Sequence, residues 1–282
     1  MILSVEGEAG TAKSTLSYTQ PYPIMGFNFD MGVDRAIYGV KFNDYFADKT
    51  IRRIKYDASP DRGPITWEGH DITIIDLPHP LQLHRYELHG YRDLWAYFMR
   101  LFNYTVMHED IKSIALDTAT LARRAKANDY LQELQEKESD VNKKRKQLLQ
   151  IEYGHVNDGI RMLYDAVKST GKNMVAVHHL TDEYKPQVNR DGAVESMPSG
   201  ERILEGLAGT HRLVDIALRT YMTSSNVPMA KIVEKCGYNP SLIGVAVVPK
   251  WDSIIQVVQD SLGGRLPPEL EYANEPATTP TV

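Results

Sequence analysis

The chain has 282 residues, of which 42% are hydrophobic and 24% charged, a composition typical of globular proteins and unlike collagenous, disordered or disulfide-stapled chains. Its 32 Lys and Arg residues against 37 Asp and Glu residues give a net charge of −5, which excludes a strongly basic nucleic-acid coat but not a local basic patch. The single Cys236 excludes an intramolecular disulfide, and no apolar run approaches the roughly eighteen residues that span a bilayer. The N-terminus lacks basic residues ahead of an apolar core, so we expect no signal peptide and a soluble, cytoplasmic protein.

Strands and helices alternate along the chain, which predicts an α/β fold with a mostly parallel sheet flanked by helices. Short apolar or alternating runs bounded by turn residues predict strands, and longer runs with apolar residues at helical spacing predict helices. The predicted strands are 1–6, 24–29, 51–56, 72–76, 111–116 and 174–178, and the predicted helices are 13–20, 91–107 and 156–169. Later strands at 213–222, 229–235 and 243–248 predict an antiparallel or mixed extension of the sheet.

Two polar stretches and a tail depart from this alternation. Residues 121–151 are rich in charge and lack glycine and proline, which predicts a long, largely solvated helix. Residues 181–209 contain several glycines, which predicts a mobile loop. We therefore expect one domain over 1–266 with a charged helical insertion at 121–152, followed by a disordered tail at 267–282.

The strongest chemical signal is the sequence GEAGTAKST, between the first predicted strand and the first predicted helix. A P-loop has the pattern G-x-x-x-x-G-K-[ST] at such a place, and here Gly7 opens it while Lys13 and Ser14 close it. Loop amides would converge on phosphate oxygens, Lys13 would neutralise the β and γ phosphates, and the Ser14 hydroxyl would ligate Mg²⁺. The predicted ATP-binding residues are Gly7, Gly10, Thr11, Ala12, Lys13, Ser14 and Thr15. The alternative is a chance glycine-rich turn ahead of a helix.

Ala12 departs from the P-loop pattern, because it stands where the last glycine is expected. We expect its methyl group to be accepted only at negative φ, or with a small shift of the loop.

A second signal is the apolar run IKSIALDT, which ends in Asp117 well after the P-loop. An acid at the end of such a strand, beside the P-loop in a parallel sheet, is what a Walker B site uses to hold Mg²⁺. Apolar strands often end in Asp by chance, so this residue gains its meaning from the loop before it. No N-K-x-D string occurs, so a guanine-specific GTPase would lack its base-recognition element.

With these residues placed, the chain resembles RecA-type ATPases and, more narrowly, the phage-encoded AAA-like ATP-binding proteins that accompany single-strand annealing recombination proteins. The likeness is carried by VEGEAGTAKSTL, GFNFDMGVDRAI, KSIALDTATL, GKNMVAVHHLTDEY and GLAGTHRLVDIALRT. It implies a RecA-like P-loop core, ATP hydrolysis and the cytoplasm of an infected bacterial host. It also implies three partners, which are single-stranded DNA, a phage recombination or annealing protein, and further copies of the chain.

The resemblance implies catalytic roles for residues at the ends of two strands. RecA-type enzymes activate the attacking water with an acid after the second strand, where Asp30 stands, although Gly32 occupies the place of an expected glutamate and Asp34 lies further on. The alternative for Asp30 is a place behind the Mg²⁺ or a cap for the following segment. In RecA-type enzymes a polar residue at the end of the strand that follows the Walker B strand senses the γ-phosphate. His178 or His179 stands at that position here. Only one can point into the site, because successive strand residues face opposite ways, and the alternative is a histidine packed at the sheet rim.

The resemblance also implies two DNA-binding loops. Residues 181–209 correspond to the second loop, in which Lys185, Arg190 and Arg202 supply positive charge. The segment 121–151 takes the place of the first loop and carries four consecutive basic residues at 143–146. The alternatives for that run are a solvated helix face or, because acidic residues accompany it, a surface for a partner helix.

A late strand, MAKIVEKCGYN, returns beside the region that in RecA inserts a lysine into a neighbour's ATP site. Lys235, ahead of Lys231, is therefore a candidate finger acting in trans. An exposed strand lysine is the alternative.

We predict an ATP-binding protein that acts as a Mg²⁺-dependent ATPase coupled to single-stranded DNA in phage recombination or replication, with Lys13 in both binding and catalysis. One alternative is a nucleotide-sensing interaction module with little turnover, suggested by Ala12 and the missing glutamate. Another is a P-loop kinase of a small substrate, which needs an Arg-rich lid, whereas 181–209 has two arginines among acidic residues.

Overall fold

A computed structural model describes residues 1–39, 43–57, 65–83, 87–140, 143–188 and 194–266. The predicted tail at 267–282 lies outside the described residues. Among the helices of the described ranges, none is long and apolar enough to cross a membrane.

The described elements follow the predicted alternation of strands and helices. The strands are β1 (Ile2–Gly7), β2 (Ile24–Asn28), β3 (Ile51–Lys55), β4 (Ile72–Asp76), β5 (Ser113–Asp117), β6 (Asn173–Val177), β7 (Leu180–Val188), β8 (Val194–Leu204), β9 (Ile216–Met222), β10 (Pro228–Cys236) and β11 (Ala246–Val247). The helices are α1 (Lys13–Ser17), α2 (Val33–Ile37), α3 (Asn43–Phe46), α4 (Tyr91–Met107), α5 (Ala119–Lys137), α6 (Tyr153–Thr170) and α7 (Trp251–Ser261).

Nine strands form one sheet in the order β11-β10-β9-β1-β6-β5-β2-β4-β3. All neighbours from β3 to β9 are parallel, whereas β10 and β11 join in antiparallel pairing. The predicted α/β architecture with a mostly parallel sheet and an antiparallel extension is confirmed. One detail differs from the expectation: β6 lies between β1 and β5, so Asp117 is level with Val177 and, one strand further, with Val5.

Helices cover both faces of the sheet, which explains why its central strands are apolar on both sides. In β1, Ile2 points to the face covered by α4, α5 and α6, and Leu3 points to the face covered by α1 and α7. Phe98 and Phe102 of α4 pack in the first core, and Trp251 of α7 packs in the second. The carboxyl ends of the parallel strands meet at one edge, where ligands bind in open α/β sheets.

The expected long helix over 121–151 is wrong, because α5 ends at Lys137. The chain then folds back on α5: Gln135 Nε2 donates to the carbonyl oxygen of Arg145 at 2.6 Å. Leu131 and Leu148, which share a helical spacing in the sequence, instead pack against each other across this return with Val156. The basic run at 143–146 therefore lies outside α5.

The expected mobile loop over 181–209 is also wrong, because β7 and β8 form an antiparallel hairpin. Nearly all residues of β8 are exposed, so the sequence lacks the alternation that marks a strand with one buried face. Pro186 and Pro198 are tolerated because each strand of a two-stranded sheet is an edge strand.

Candidate functional site

The loop between β1 and α1 is held together by its own side chains. Lys13 Nζ donates to the carbonyl oxygens of Gly7 and Glu8 at 2.7 and 2.6 Å. Thr11 Oγ1 donates to the Glu8 carbonyl at 2.7 Å and lies 2.6 Å from Thr220 Oγ1 on β9. The loop therefore wraps around the Lys13 ammonium and is anchored to the neighbouring strand.

Ala12 adopts φ 70°, so of the two ways expected for its methyl group to be accepted, a negative φ or a small shift of the loop, the first is wrong. The left-handed conformation costs an alanine about 1–2 kcal/mol, and it is the conformation that favours the glycine expected at this place. The carbonyl oxygen of Ala12 accepts from the Leu16 amide at 3.0 Å, which starts α1.

Asp117 ends β5 with no exposed surface. Ser14 Oγ donates to its Oδ1 at 3.1 Å, while within the described residues Oδ2 has no hydrogen-bond partner. Burial, and after it the charge of Asp30, raises the pKa of Asp117 to about 7.

The Ser14 hydroxyl and the unpartnered Asp117 oxygen fit a hard cation such as Mg²⁺, which takes oxygen ligands and needs only one or two from the protein when phosphates supply others. In the parts of the chain that are described, no group of three or more His, Cys, Asp and Glu residues could hold a metal. A cation at this point would therefore complete its shell with phosphate and water oxygens.

A cavity of about 680 Å³ opens at the carboxyl edge of the sheet, within the size range of small-molecule sites. All seven predicted nucleotide-binding residues line it, and Asp117 lies behind Ser14 rather than on the wall. The other lining residues are Glu8, Ala9, Asp30, Gly32, Arg35, Ala36, Gly39, Thr118, Val177, His179, Leu180, Arg202 and Glu205.

Of the two predicted histidines, only His179 lines the cavity. Its Nε2 lies 3.8 Å from Asp30 Oδ2, and this imidazole, followed by the Gly32 amide, lowers the pKa of Asp30, which is therefore ionised at neutral pH. His178 is 2% exposed beside Gly206, and burial lowers its pKa to about 3. A catalytic contact is therefore not open to His178, which packs at the sheet rim as a neutral imidazole.

After β2, Asp30 brings a carboxylate into the cavity, whereas Gly32 has no side chain and Asp34 does not line the cavity. A Cβ atom at Gly32 would lie 2.6 Å from Asp30 Oδ1, so the glutamate expected there would displace that carboxylate. Asp34 instead pairs with Arg53 at 2.5 Å, and Arg53 also binds the buried Asp76 at 2.6 Å. Asp34 therefore belongs to an ion-pair network outside the cavity.

Of the three residues predicted to bind DNA, the two that the structure describes, Arg202 and Lys185, lie apart from each other. Arg202 lines the cavity and pairs with Glu8 at 2.5 Å, so its charge faces the β1–α1 loop. Lys185 lies on the hairpin away from the cavity and pairs with Glu183 at 2.8 Å. Arg190 lies outside the described residues.

The basic run at 143–146 is largely neutralised by acidic neighbours. The pairs are Lys143 with Asp140, Lys144 with Glu87 and Arg145 with Glu152. These pairs favour the interpretation of a solvated surface over that of a first DNA-binding loop.

Lys231 and Lys235 lie on β10, and neither lines the cavity. In the strand register, Lys231 lies opposite Arg219 of β9, and Arg219 lies opposite Glu6 of β1, close to the β1–α1 loop. Lys235 lies within the register shift between Val233 and Cys236, toward the opposite end of the sheet. A finger role would concern a neighbour's site and stays a prediction.

Sequence reasoning missed three charged residues of the cavity wall, Glu8, Arg35 and Glu205. Glu8 lies inside the loop motif at a position the pattern leaves open. The Glu205 amide donates to the His179 carbonyl at 2.8 Å, and this return of the chain after the hairpin has no local sequence signal.

Comparison with known proteins gives no match to a family model or to a curated protein. The assignment of the site therefore rests on its own geometry.

Proposed function

We propose that the chain is a RecA-like P-loop ATPase core that binds ATP with Mg²⁺ in the cavity above the β1–α1 loop. One observation carries the proposal: the Lys13 ammonium, the Ser14 hydroxyl and the buried Asp117 carboxylate converge at the start of α1. A lysine enclosed by loop carbonyls and a hydroxyl against an acid are the parts that phosphoryl-transfer sites use to hold phosphates and Mg²⁺.

Each residue then has a defined task. Lys13 exchanges its two loop carbonyls for oxygens of the β and γ phosphates, and the loop amides bind the remaining phosphate oxygens. Ser14 and Asp117 would hold the cation, which would neutralise charge that develops on the phosphates. Burial lowers the pKa of Lys13 while the nearby Asp117 and Glu8 oppose this, so a bound polyphosphate would strengthen the charged form.

Hydrolysis also needs a group that orients the attacking water. Asp30 lines the cavity as an ionised carboxylate held on one side by His179. Its lowered pKa makes it a weak base, so we assign it the orientation of the water and the late acceptance of its proton.

A nucleotide-sensing module with little turnover is the second candidate. It is favoured by the low basicity of Asp30 and by Gly32, which leaves no carboxylate at the position of the expected glutamate. A kinase of a small substrate is less favoured, because the described strands of the hairpin bring one arginine, Arg202, to the cavity rather than an Arg-rich lid.

Coupling to single-stranded DNA in phage recombination or replication remains part of the proposal. Its support is the position of the hairpin, which begins directly after His179 and so links the site to the surface. Charge gives no support: the described strands β7 and β8 carry Asp182, Glu183, Glu195 and Glu201 against Lys185 and Arg202. DNA affinity depends on neutralising the DNA phosphates, so the basic side chains for this task would come from elsewhere on the protein.

Thermal unfolding with and without ATP and Mg²⁺ tests the nucleotide site. Ligand at about a hundred times its Kd adds about 2.7 kcal/mol to the free energy of unfolding, which raises the Tm of the wild type by several degrees. We expect the K13A variant to lose most of this shift, because the lysine supplies charge to bound phosphates. Its ligand-free Tm should stay close to that of the wild type, because water can replace the ammonium at the two carbonyls.

The matched control is K168A, which removes an exposed lysine on α6 far along the chain from the loop. It should keep the full ATP-induced shift. Equal shifts for K13A and the wild type would show that the cavity does not bind ATP through this loop.

A further inference from the structure

We propose that Arg202, on hairpin strand β8, is a second phosphate-binding residue, which recognises the terminal phosphate of a bound nucleoside triphosphate. The inference rests on the proposed nucleotide site and adds to it a residue from a distant part of the chain.

The guanidinium of Arg202 is aimed at the β1–α1 loop. One terminal nitrogen lies 2.5 Å from Glu8 Oε1, the other donates to the Leu180 carbonyl at 3.0 Å, and Nε lies 3.6 Å from Asp182. Its planar set of donors suits a phosphate, which it can bind through two parallel hydrogen bonds.

An irregularity in the hairpin accounts for this aim. The register between β7 and β8 shifts between Asp182, which pairs with Arg202, and Tyr184, which pairs with Pro198. Gly200, with φ 84°, lies in the extra length of β8. Bulges of this kind re-aim side chains beside functional sites.

The main chain of Arg202 is fixed to the sheet while its side chain reaches the loop. Arg219 of β9 donates to the Arg202 carbonyl at 3.3 Å and pairs with the buried Glu6 of β1 at 2.5 Å. The base of the hairpin is therefore anchored beside β1, while the Arg202 guanidinium joins the two strands of the hairpin through its bond to the Leu180 carbonyl, which a movement of the guanidinium would break.

Glu8 contacts two cations of the cavity wall, Lys13 and Arg202. Its carbonyl accepts from Lys13 and its carboxylate pairs with Arg202. In a P-loop the lysine reaches the β and γ phosphates, so two cations that share Glu8 lie at the same terminal end of the phosphate chain.

A triphosphate would exchange partners at this point. The Glu8–Arg202 pair is 57% and 44% exposed, and exposed ion pairs contribute little free energy. A terminal phosphate repels the Glu8 carboxylate and attracts Arg202 through stronger charge-assisted hydrogen bonds. A diphosphate lacks that group, so it leaves the Glu8–Arg202 pair intact, and the hairpin distinguishes the two nucleotides.

Calorimetric titration of wild type, R202Q, E8Q and K185Q with ADP and with the non-hydrolysable analogue AMP-PNP, both in MgCl₂, tests this inference. Losing a hydrogen bond to a charged group corresponds to about a tenfold or greater loss of affinity, so R202Q should bind AMP-PNP at least about tenfold more weakly and ADP nearly as tightly as wild type. E8Q should bind AMP-PNP more tightly, since it removes both the competing partner and the repulsion. K185Q removes a cation of the same hairpin outside the cavity and should match the wild type.

Amide hydrogen exchange over 180–188 and 194–204 reports the structural consequence. AMP-PNP, but not ADP, should change protection of these strands in wild type, and the change should disappear in R202Q. Wild-type AMP-PNP affinity in R202Q, or equal weakening of both nucleotides, would overturn the role of Arg202 while leaving the nucleotide site intact. A wild type that binds neither nucleotide would instead overturn the nucleotide site itself, and the role of Arg202 with it.

Discussion

Asp117 makes the free energy of unfolding depend on pH. Burial and the charge of Asp30 raise its pKa from the ordinary 3.8 to about 7. Between these values the folded protein keeps a proton that the unfolded chain has lost, so the free energy of unfolding falls as the pH rises from about 4 to about 7. Below this window the carboxyl is protonated in both states, and above it the cost of the buried charge is constant. A buried acid whose Oδ2 has no hydrogen-bond partner among the described residues therefore destabilises the ligand-free protein at neutral pH, and a bound cation would relieve this.

The D117N variant replaces the titratable carboxyl group with an amide of nearly the same shape. We expect its ligand-free form to be more stable than wild type by a margin that grows by up to about 1.4 kcal/mol per pH unit between about pH 4 and 7. Mg²⁺-dependent ATP turnover should fall by about tenfold or more, because an amide replaces the carboxylate that would hold the cation. Urea unfolding across this pH range and a turnover assay measure the two effects.

D158N is the matched control, because Asp158 is an exposed aspartate of α6 that pairs with Arg161. An exposed carboxylate carries no burial penalty when it ionises, so D158N should not gain stability toward neutral pH. A D117N variant with no pH-dependent gain would show that Asp117 is not a buried proton acceptor, and the proposed cation site would lose its acid.

The β1–α1 loop depends on its two glycines in different ways. A Cβ atom at Gly7, which has φ 153°, would lie 2.3 Å from Thr220 Oγ1 and 2.5 Å from the Thr220 carbonyl oxygen. Gly10, with φ 77°, has nothing within 4 Å of such an atom. Gly7 is thus required by the close approach of β9 to β1, and Gly10 only by its backbone conformation.

We expect G7A to lose about 3 kcal/mol or more of unfolding free energy, because β9 must move away from β1. G10A should lose only about 1–2 kcal/mol from its left-handed φ. Urea unfolding of both variants measures the difference. Equal losses would mean that the β1–β9 contact does not constrain the start of the loop.

The elements that could be predicted from sequence are those whose burial imposes a pattern. Strands β1, β2, β5 and β6 are buried on both faces and leave apolar runs, and α4 leaves an apolar stripe. The hairpin has no such pattern because both of its strands are largely exposed. The end of α5 is set by contacts with the returning chain, which local sequence does not encode.

The same division applies to the site. Gly7 to Thr15 are contiguous, so a motif finds them together, and Asp117 follows from a strand that ends in an acid. Arg202 and Glu205 reach the cavity only through the topology of the hairpin. The sequence therefore predicts the residues at the end of β1 well and those contributed by distant segments poorly.

At the scale of the whole molecule, two cores share the same strands. Side chains of β1 and β6 alternate between them: Met174 packs with α4 and α6, and Val175 packs with α7. Because neither core can loosen without disturbing the backbone that supports the other, the two faces should unfold together even though the chain is longer than typical two-state domains.

Three tryptophans allow this to be measured. Trp251 packs in the core under α7, whereas Trp95 and Trp67 pack in or against the core under α4. W251F keeps the reporters of one face, and the double variant W67F/W95F keeps the reporter of the other. Within each variant we expect tryptophan fluorescence and far-ultraviolet circular dichroism to give the same urea midpoint, a comparison unaffected by any change in stability that the substitutions cause. If the Trp251 signal changed before the circular dichroism signal, α7 and its core would form a separate cooperative unit, and the expectation of one domain over 1–266 would be wrong.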